Sequence, residues 1–139
     1  MMNKLHAICA LLLIFCVSPV EARAQVTFER LVNASKEPQN WLTYSGDYAG
    51  HRFSTLDQVN TSNAHSLTAK WVYQTAATGK FETTPLVVDG ILYATGQDDR
   101  AFALDARTGR PIWLFQHQLP SDIRPCCGRV NRGLAILGD

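Results

Sequence analysis

The stretch TTPLVVDGILYATGQ, residues 83–97, places β-branched and other apolar residues on both sides of Asp89 and Gly90. An Asp-Gly pair between two such runs is a strong signal for a β-hairpin with a two-residue type I′ turn, because both turn positions need a positive φ. The stretch therefore predicts two short antiparallel strands that meet at Asp89 and Gly90.

The following stretch, RAFALDARTGRPIWLF at residues 100–115, has the same form. It predicts strands over residues 101–104 and 111–115, with a turn through Thr108 and Gly109. Together the two stretches predict one antiparallel sheet of four short strands, and hence an all-β fold.

The segments around this predicted sheet are less regular. LTAKWVY at residues 67–73 alternates apolar and more polar positions, which predicts a further strand. Residues 40–63 are aromatic and turn-rich without periodicity, and residues 116–132 read as a long loop. Near the start, apolar and small residues recur at helical spacing, which predicts one short helix that ends before Pro38; they are Phe28, Leu31, Val32 and Ser35.

The last seven residues, GLAILGD from Gly133, resemble the PLVVDG run upstream. Both are short apolar runs that lead into a Gly/Asp turn, so a second four-stranded unit is expected to begin at Gly133. A repeat that stops inside its second unit cannot bury its faces, and we expect the sequence to be the front end of a longer protein. The sequence therefore divides into three predicted parts. Residues 1–24 form a leader segment, residues 25–66 a helix with an irregular segment, and residues 67–139 the first four-stranded unit, the loop with the two adjacent cysteines, and the start of the second unit.

Residues 1–24 have the order of a secretory signal peptide. A weakly basic start precedes an apolar run over residues 7–17, and Ala22-Arg23-Ala24 supplies small residues for cleavage after Ala24. The apolar run is too short to cross a bilayer of about 30 Å as a helix, so no stable membrane span is expected after cleavage. A buried N-terminal helix is the alternative interpretation.

Charge and cysteine content narrow the function further. The chain has 13 Lys and Arg against 12 Asp and Glu, which gives no electrostatic case for binding nucleic acid.

After cleavage, Cys126 and Cys127 are the only cysteines of this sequence. A trans peptide holds their Cα atoms about 3.8 Å apart, below the usual disulfide range of about 4.4–6.8 Å. They are therefore both free, or bind metal, or close a strained ring; no CxxC spacing supports metal.

A docking pattern lies within the predicted sheet: A-x-D-x-x-T-G-x-x-x-W, formed by Ala103, Asp105, Thr108, Gly109 and Trp113. It resembles the tryptophan-docking motif of quinoprotein alcohol dehydrogenases, in which a large flat ring packs between blades. The opening segment from Asn40, FETTPLVVDGILY and CCGRVNRG also resemble this family. The resemblance implies that the chain is the N-terminal part of an eight-bladed β-propeller, with the first blade and the start of the second.

The resemblance also implies a site and a chemistry. It implies a disulfide between Cys126 and Cys127 that lies against pyrroloquinoline quinone, with Arg132 and Glu82 as further cofactor contacts. It implies calcium or a lanthanide, a small alcohol as substrate, a cytochrome as electron acceptor and a periplasmic location. The resemblance further implies that the metal ligands and the catalytic base lie outside these residues, so the 139-residue chain is expected to be inactive alone. The alternative is a non-catalytic propeller fragment that serves as an assembly or binding module.

Overall fold

The computed structural model describes residues 26–137. Its core is one four-stranded antiparallel sheet with the strands in sequence order. The predicted signal peptide lies outside the described residues, and the predicted division of the chain stays a prediction. The strands are β1 (Leu86–Val88), β2 (Ile91–Gly96), β3 (Arg100–Asp105) and β4 (Pro111–Gln116).

The β1–β2 hairpin forms where the sequence predicts it. Asp89 has φ 49° and Gly90 has φ 81°, the pair of positive values that a type I′ turn requires. Val88 lies opposite Ile91 at the mouth of this turn. The four-strand prediction is therefore confirmed, including the turn that sets the register.

Both faces of the sheet are covered by other parts of the chain. Ala94, Phe102 and Leu104 form a buried cluster on one face, with Trp71 and Tyr73 packed against it. Neighbouring residues along a strand point to opposite faces, so Tyr93 points the other way from Ala94. On that second face, Tyr93 packs against another buried cluster, which consists of Val26, Leu42 and Val88.

The strand predicted over residues 67–73 does not form. These residues have no ladder partner within residues 26–137. Trp71 and Tyr73 instead lie across the sheet, and the rings of Tyr73 and Phe102 are 5.1 Å apart. In the second half of the alternating stretch, Trp71 and Tyr73 pack on one face of the sheet, whereas Leu67 in the first half is 65% exposed. Packing of this kind gives the same period as a strand without a hydrogen-bonded neighbour.

The strand predicted after Gly133 is also absent from the part of the chain that the structure describes. Gly133 forms one isolated parallel bridge with Thr84, and no ladder continues from it through residue 137. Ile136 nevertheless packs against the cluster of Val26, Leu42 and Val88. One residue of the apolar run thus packs on the sheet while Leu137 is 79% exposed, and the run has no neighbouring strand with which to form a ladder.

The N-terminal helix and the long loop agree with the sequence. Helix α1 spans Phe28–Val32, and a 3₁₀ turn follows at Ala34–Lys36, so helical structure ends before Pro38. Thr27 caps α1 by accepting a hydrogen bond from the Arg30 amide. A second 3₁₀ turn lies at Ala64–Ser66. Across residues 26–137, no helix is long and apolar enough to cross a bilayer.

Candidate functional site

The docking motif folds as a compact turn built around one carboxylate. Asp105 Oδ1 accepts hydrogen bonds from the Thr108 hydroxyl at 2.9 Å, the Thr108 amide at 2.8 Å and the Arg107 amide at 3.0 Å. The bonds from Thr108, hydroxyl first, lower the pKa of Asp105 below its usual range. Asp105 is therefore held ionised as an acceptor that shapes the β3–β4 connection.

Gly109 allows an indole to lie directly on this turn. Its φ is 71°, and a Cβ added there would come within 2.6 Å of the Trp71 ring. Trp71 in turn donates its Nε1–H to the Ala106 carbonyl at 3.1 Å. A larger residue at position 109 would therefore need both backbone strain and displacement of Trp71.

Trp113, the last residue of the motif, lies on the outermost strand. It pairs with the fully buried Ala103 and its ring centroid is 6.2 Å from that of Tyr93. Its side chain is still 43% exposed, and all of β4 is exposed. The structure thus brings the five motif residues together, and leaves the indole available for contact with another surface.

The predicted cofactor residues lie on two segments, residues 80–84 and residues 126–133, that run side by side. The Thr84 amide donates to the Arg132 carbonyl at 3.0 Å, and Thr84 forms the parallel bridge with Gly133. Further back along both segments, Lys80 Nζ reaches the Cys127 carbonyl at 3.5 Å. The start of one segment therefore lies near the cysteines, and its end lies beside Arg132.

Glu82 and Arg132 face each other across this pair of segments. Arg132 Nε is 3.2 Å from Glu82 Oε2, and the side chains are 68% and 41% exposed. Two residues about fifty positions apart in the sequence are therefore neighbours in the fold. Their role toward a ligand stays a prediction.

Cys126 and Cys127 are exposed and lie in the long loop. Their Sγ atoms are 3.0 Å apart, longer than the bond of about 2.05 Å in a disulfide. Both are free thiols in this structure, so the ring between them also stays a prediction. No third ligand accompanies them, since residues 26–137 hold no group of three or more His, Cys, Asp or Glu suited to a metal.

Several polar residues that the sequence did not single out hold these segments in place. Thr95 Oγ1, on β2, donates to the Asn131 carbonyl at 2.8 Å and is linked to Thr83 Oγ1 at 3.0 Å. Thr95 is almost fully buried, so its hydroxyl satisfies a carbonyl where water is excluded. A buried threonine within an apolar strand was the available signal, but its partner could not be read from the sequence.

An open cavity of about 430 Å³ lies elsewhere, in the N-terminal segment. Trp41, Phe53 and the hydrogen-bonded pair Asp47 and His51 contribute to its lining. None of the predicted cofactor residues lines it. The exposed surface that carries Glu82, Arg132 and the cysteine pair is therefore the better candidate site.

Comparison with known proteins assigns this chain to one family. Residues 41–139 match the family described as "Glucose/ethanol/alcohol dehydrogenase, beta-propeller domain". The chain therefore belongs to this β-propeller family of quinoprotein dehydrogenases.

Individual relatives support this assignment. The chain is 40% identical to a quinoprotein ethanol dehydrogenase of Pseudomonas putida over 96% of its own length and 22% of the relative's. It is 41% identical to the dehydrogenase subunit of an alcohol dehydrogenase (quinone) of Acetobacter aceti, covering 91% of this chain and 17% of that protein. The chain thus spans about a fifth of the length of the curated relatives it matches.

Solved structures agree in fold. The structure superposes on the quinohemoprotein alcohol dehydrogenase of Pseudomonas putida HK5 with a TM-score of 0.76 at 38% identity. The match covers 83% of this chain and 17% of that one. The quinohemoprotein alcohol dehydrogenase of Comamonas testosteroni gives a TM-score of 0.72, also at 38% identity, over 82% of this chain and 17% of that one.

Proposed function

We propose that this chain forms one wall of the pyrroloquinoline quinone site in a periplasmic alcohol dehydrogenase. The observation that carries the proposal is the contact between Arg132 and Glu82, on segments that also meet at Cys127, whose carbonyl is 3.5 Å from Lys80 Nζ. The rest of the enzyme would supply the catalytic base, the calcium or lanthanide, and the path to a cytochrome acceptor. Its substrate would be a small alcohol.

The chemistry of the residues fits this cofactor. Pyrroloquinoline quinone is planar and carries carboxylates beside its ortho-quinone. Arg132 uses only Nε toward Glu82, and within residues 26–137 its terminal amino groups have no other partner. They can therefore bind a carboxylate in the bidentate way that guanidinium groups favour.

The cysteines suit the flat part of the same ligand. Both side chains are exposed, and their sulfur atoms lie close together. Sulfur is polarisable and packs well against aromatic rings. We propose that the pair closes to a disulfide ring in the exported protein, as an oxidising compartment favours. The two thiols would give two electrons and two protons to the disulfide of a thiol-oxidising partner, which is reduced to a dithiol. The ring would cover one face of the cofactor and exclude water from it.

Each residue then has a distinct task. When bound, pyrroloquinoline quinone would supply the electron acceptor for alcohol oxidation. Arg132 would hold its carboxylate or polarise a quinone oxygen. Glu82 would orient the guanidinium through Nε and accept a hydrogen bond at the cofactor's rim.

The test is a fluorescence titration of the exported chain with pyrroloquinoline quinone. Arg132→Gln should weaken binding roughly tenfold or more, because a hydrogen bond to a charged group is lost. Arg124→Gln is the matched control, since Arg124 is exposed in the neighbouring loop and has no hydrogen bond or ion pair within residues 26–137. Mass spectrometry of the alkylated, non-reduced sample establishes whether the cysteines are bonded.

Equal affinities for the two variants would contradict the role of Arg132. No binding by the unmodified chain, with the cysteine ring present, would favour the non-catalytic module instead.

A further inference from the structure

The loop over residues 117–132 has no helix or strand, yet one of its side chains joins three parts of the chain. Arg129 Nη2 donates to the carbonyls of Pro120 and Ser121 at 3.4 and 3.3 Å. Its Nη1 donates to Asp98 Oδ1 at 3.4 Å. One guanidinium therefore links the outgoing half of the loop, its returning half, and the β2–β3 turn.

The contact with Asp98 is reciprocal. Besides accepting from the guanidinium, Asp98 donates its own amide N–H to the Arg129 carbonyl at 3.1 Å. One residue on, the Asp99 carbonyl accepts from the His117 amide at 3.2 Å. Both ends of the loop are thus attached to the same three-residue turn, residues 97–99 between β2 and β3.

The backbone of the β2–β3 turn is held in place by the paired strands on both sides of it. Asp98 and Asp99 both have a positive φ, at 59° and 55°. The β2–β3 ladder runs up to the pair Gly96 and Arg100, directly beside the turn. Because the strands on both sides are paired, the turn cannot move without loss of ladder hydrogen bonds.

We propose that Arg129 is a positioning residue, which holds Cys126 and Cys127 in place by fastening their loop to Asp98. This inference rests on the proposed function for its biological purpose, but its geometry does not depend on a cofactor. Arg129 is only two positions from Cys127, so the fastening acts directly on the peptide that carries the sulfur atoms.

Fastening the loop has a chemical consequence. Joining two adjacent cysteines confines the peptide between them to few conformations, and a free loop loses more entropy in this step than a fastened one. Arg129 should therefore shift the equilibrium from two thiols toward the disulfide. In a dithiothreitol buffer the balance is complete: the disulfide gains two electrons and two protons, and dithiothreitol closes to its own cyclic disulfide.

The experiment compares Arg129→Gln with Arg124→Gln in the full chain. Hydrogen exchange followed by mass spectrometry reports on residues 117–132 and, separately, on the strands. Titration with reduced and oxidised dithiothreitol reports on the cysteine pair. Asp98→Asn tests the other partner, since asparagine tolerates the positive φ while it lacks the charge.

For Arg129→Gln we expect several-fold faster hydrogen exchange in the loop and unchanged exchange in β1–β4. The disulfide ring should open at a ratio of reduced to oxidised dithiothreitol that is on the order of fivefold lower than the ratio for the unmodified chain. Asp98→Asn should act in the same direction, and Arg129→Lys should restore part of the effect because it retains the charge. Arg124→Gln should match the unmodified chain in both measurements.

Equal loop exchange in the two arginine variants would overturn the proposal. Faster exchange with an unchanged thiol–disulfide equilibrium would also overturn it, because Arg129 would then hold the loop without positioning the cysteines. Failure to bind pyrroloquinoline quinone would count against the proposed function alone, since neither measurement uses the cofactor.

Discussion

The sheet and the segments that wrap it are stabilised in different ways. The sheet, β1–β4, is held by a continuous ladder and by side chains that alternate between two faces. The wrapping segments, residues 26–84 and 117–137, contain only one short helix and two 3₁₀ turns. They are attached by isolated backbone bridges, such as that of Trp41 with Val87, and by individual side chains, such as Trp71 and Arg129.

The two kinds of attachment should respond differently to substitution. A ladder distributes its stability over many equivalent bonds, and a core residue below it supports all of them. A segment attached by single contacts can open locally while the sheet stays folded. Substitutions in the sheet core should therefore lower global stability, and substitutions in the attachments should act locally.

The largest effect is expected for Leu104→Ala. Leu104 is 2% exposed in the cluster beneath Trp71 and Tyr73, so its truncation leaves a cavity. We expect a loss of about 3 kcal/mol in the free energy of unfolding, measured by urea denaturation with tryptophan fluorescence. Leu114→Ala on neighbouring β4 is the control, because Leu114 is 59% exposed, and it should cost under about 1 kcal/mol. Similar losses in the two variants would show that the cluster is not the core of the sheet.

The same contrast explains how much of the fold could be predicted. The two hairpins could be predicted from the sequence. Their alternating strands and their turns, at Asp89-Gly90 and Thr108-Gly109, are local signals that agree with each other. The strand over residues 67–73 was predicted wrongly, because alternation records burial of one face and cannot tell a paired strand from a segment laid across a sheet. The strand expected after Gly133 does not form within the described residues, for a related reason. A strand needs a neighbouring strand, and the residues of the run do not specify one.

The site was predictable only in part. Glu82, Arg132 and the cysteine pair were identified by resemblance to a family, and the structure brings Glu82 and Arg132 together. The residues that support them were missed. Thr95 and Arg129 act through hydrogen bonds to backbone carbonyls, which any residue type can offer. Such partners leave no pattern in the sequence, so long-range contacts of this kind appear only in three dimensions.

A second, smaller effect tests the junction between the sheet and its wrapping. Gly109→Ala places a methyl group against the Trp71 ring as well as straining a positive φ. We expect a loss of about 2–3 kcal/mol in unfolding free energy, from strain and overpacking together. Gly90→Ala has a similar φ of 81° but nothing within 4 Å, so it should cost only about 1 kcal/mol. Urea denaturation measures both, and equal losses would mean that Trp71 moves aside freely.

The smallest effect is expected where the N-terminal segment is attached to the β1–β2 turn. Arg30 bonds Glu37 Oε2 at 2.5 Å and Asp89 Oδ1 at 2.8 Å. The hydrogen bond from Arg30 lowers the pKa of Glu37 below its ordinary value of 4.5, and it lowers the pKa of Asp89 as well. A carboxyl group with a lowered pKa stabilises the fold above its unfolded value, and this contribution is lost as the pH falls through the folded pKa.

Glu37→Gln should therefore lower the free energy of unfolding at pH 7 by about 1 kcal/mol or less, as is usual for partly exposed ion pairs. The difference from the unmodified chain should shrink as the pH falls from 4.5 through the lower pKa of Glu37 in the folded state, because the native carboxyl becomes neutral there too. Glu29→Gln is the control, because it removes an exposed carboxylate of α1 that has no side-chain hydrogen bond or ion pair within residues 26–137. Urea unfolding at several pH values gives both curves. If the difference for Glu37→Gln stays constant down to acid pH, the Arg30 contacts do not attach the segment through charge.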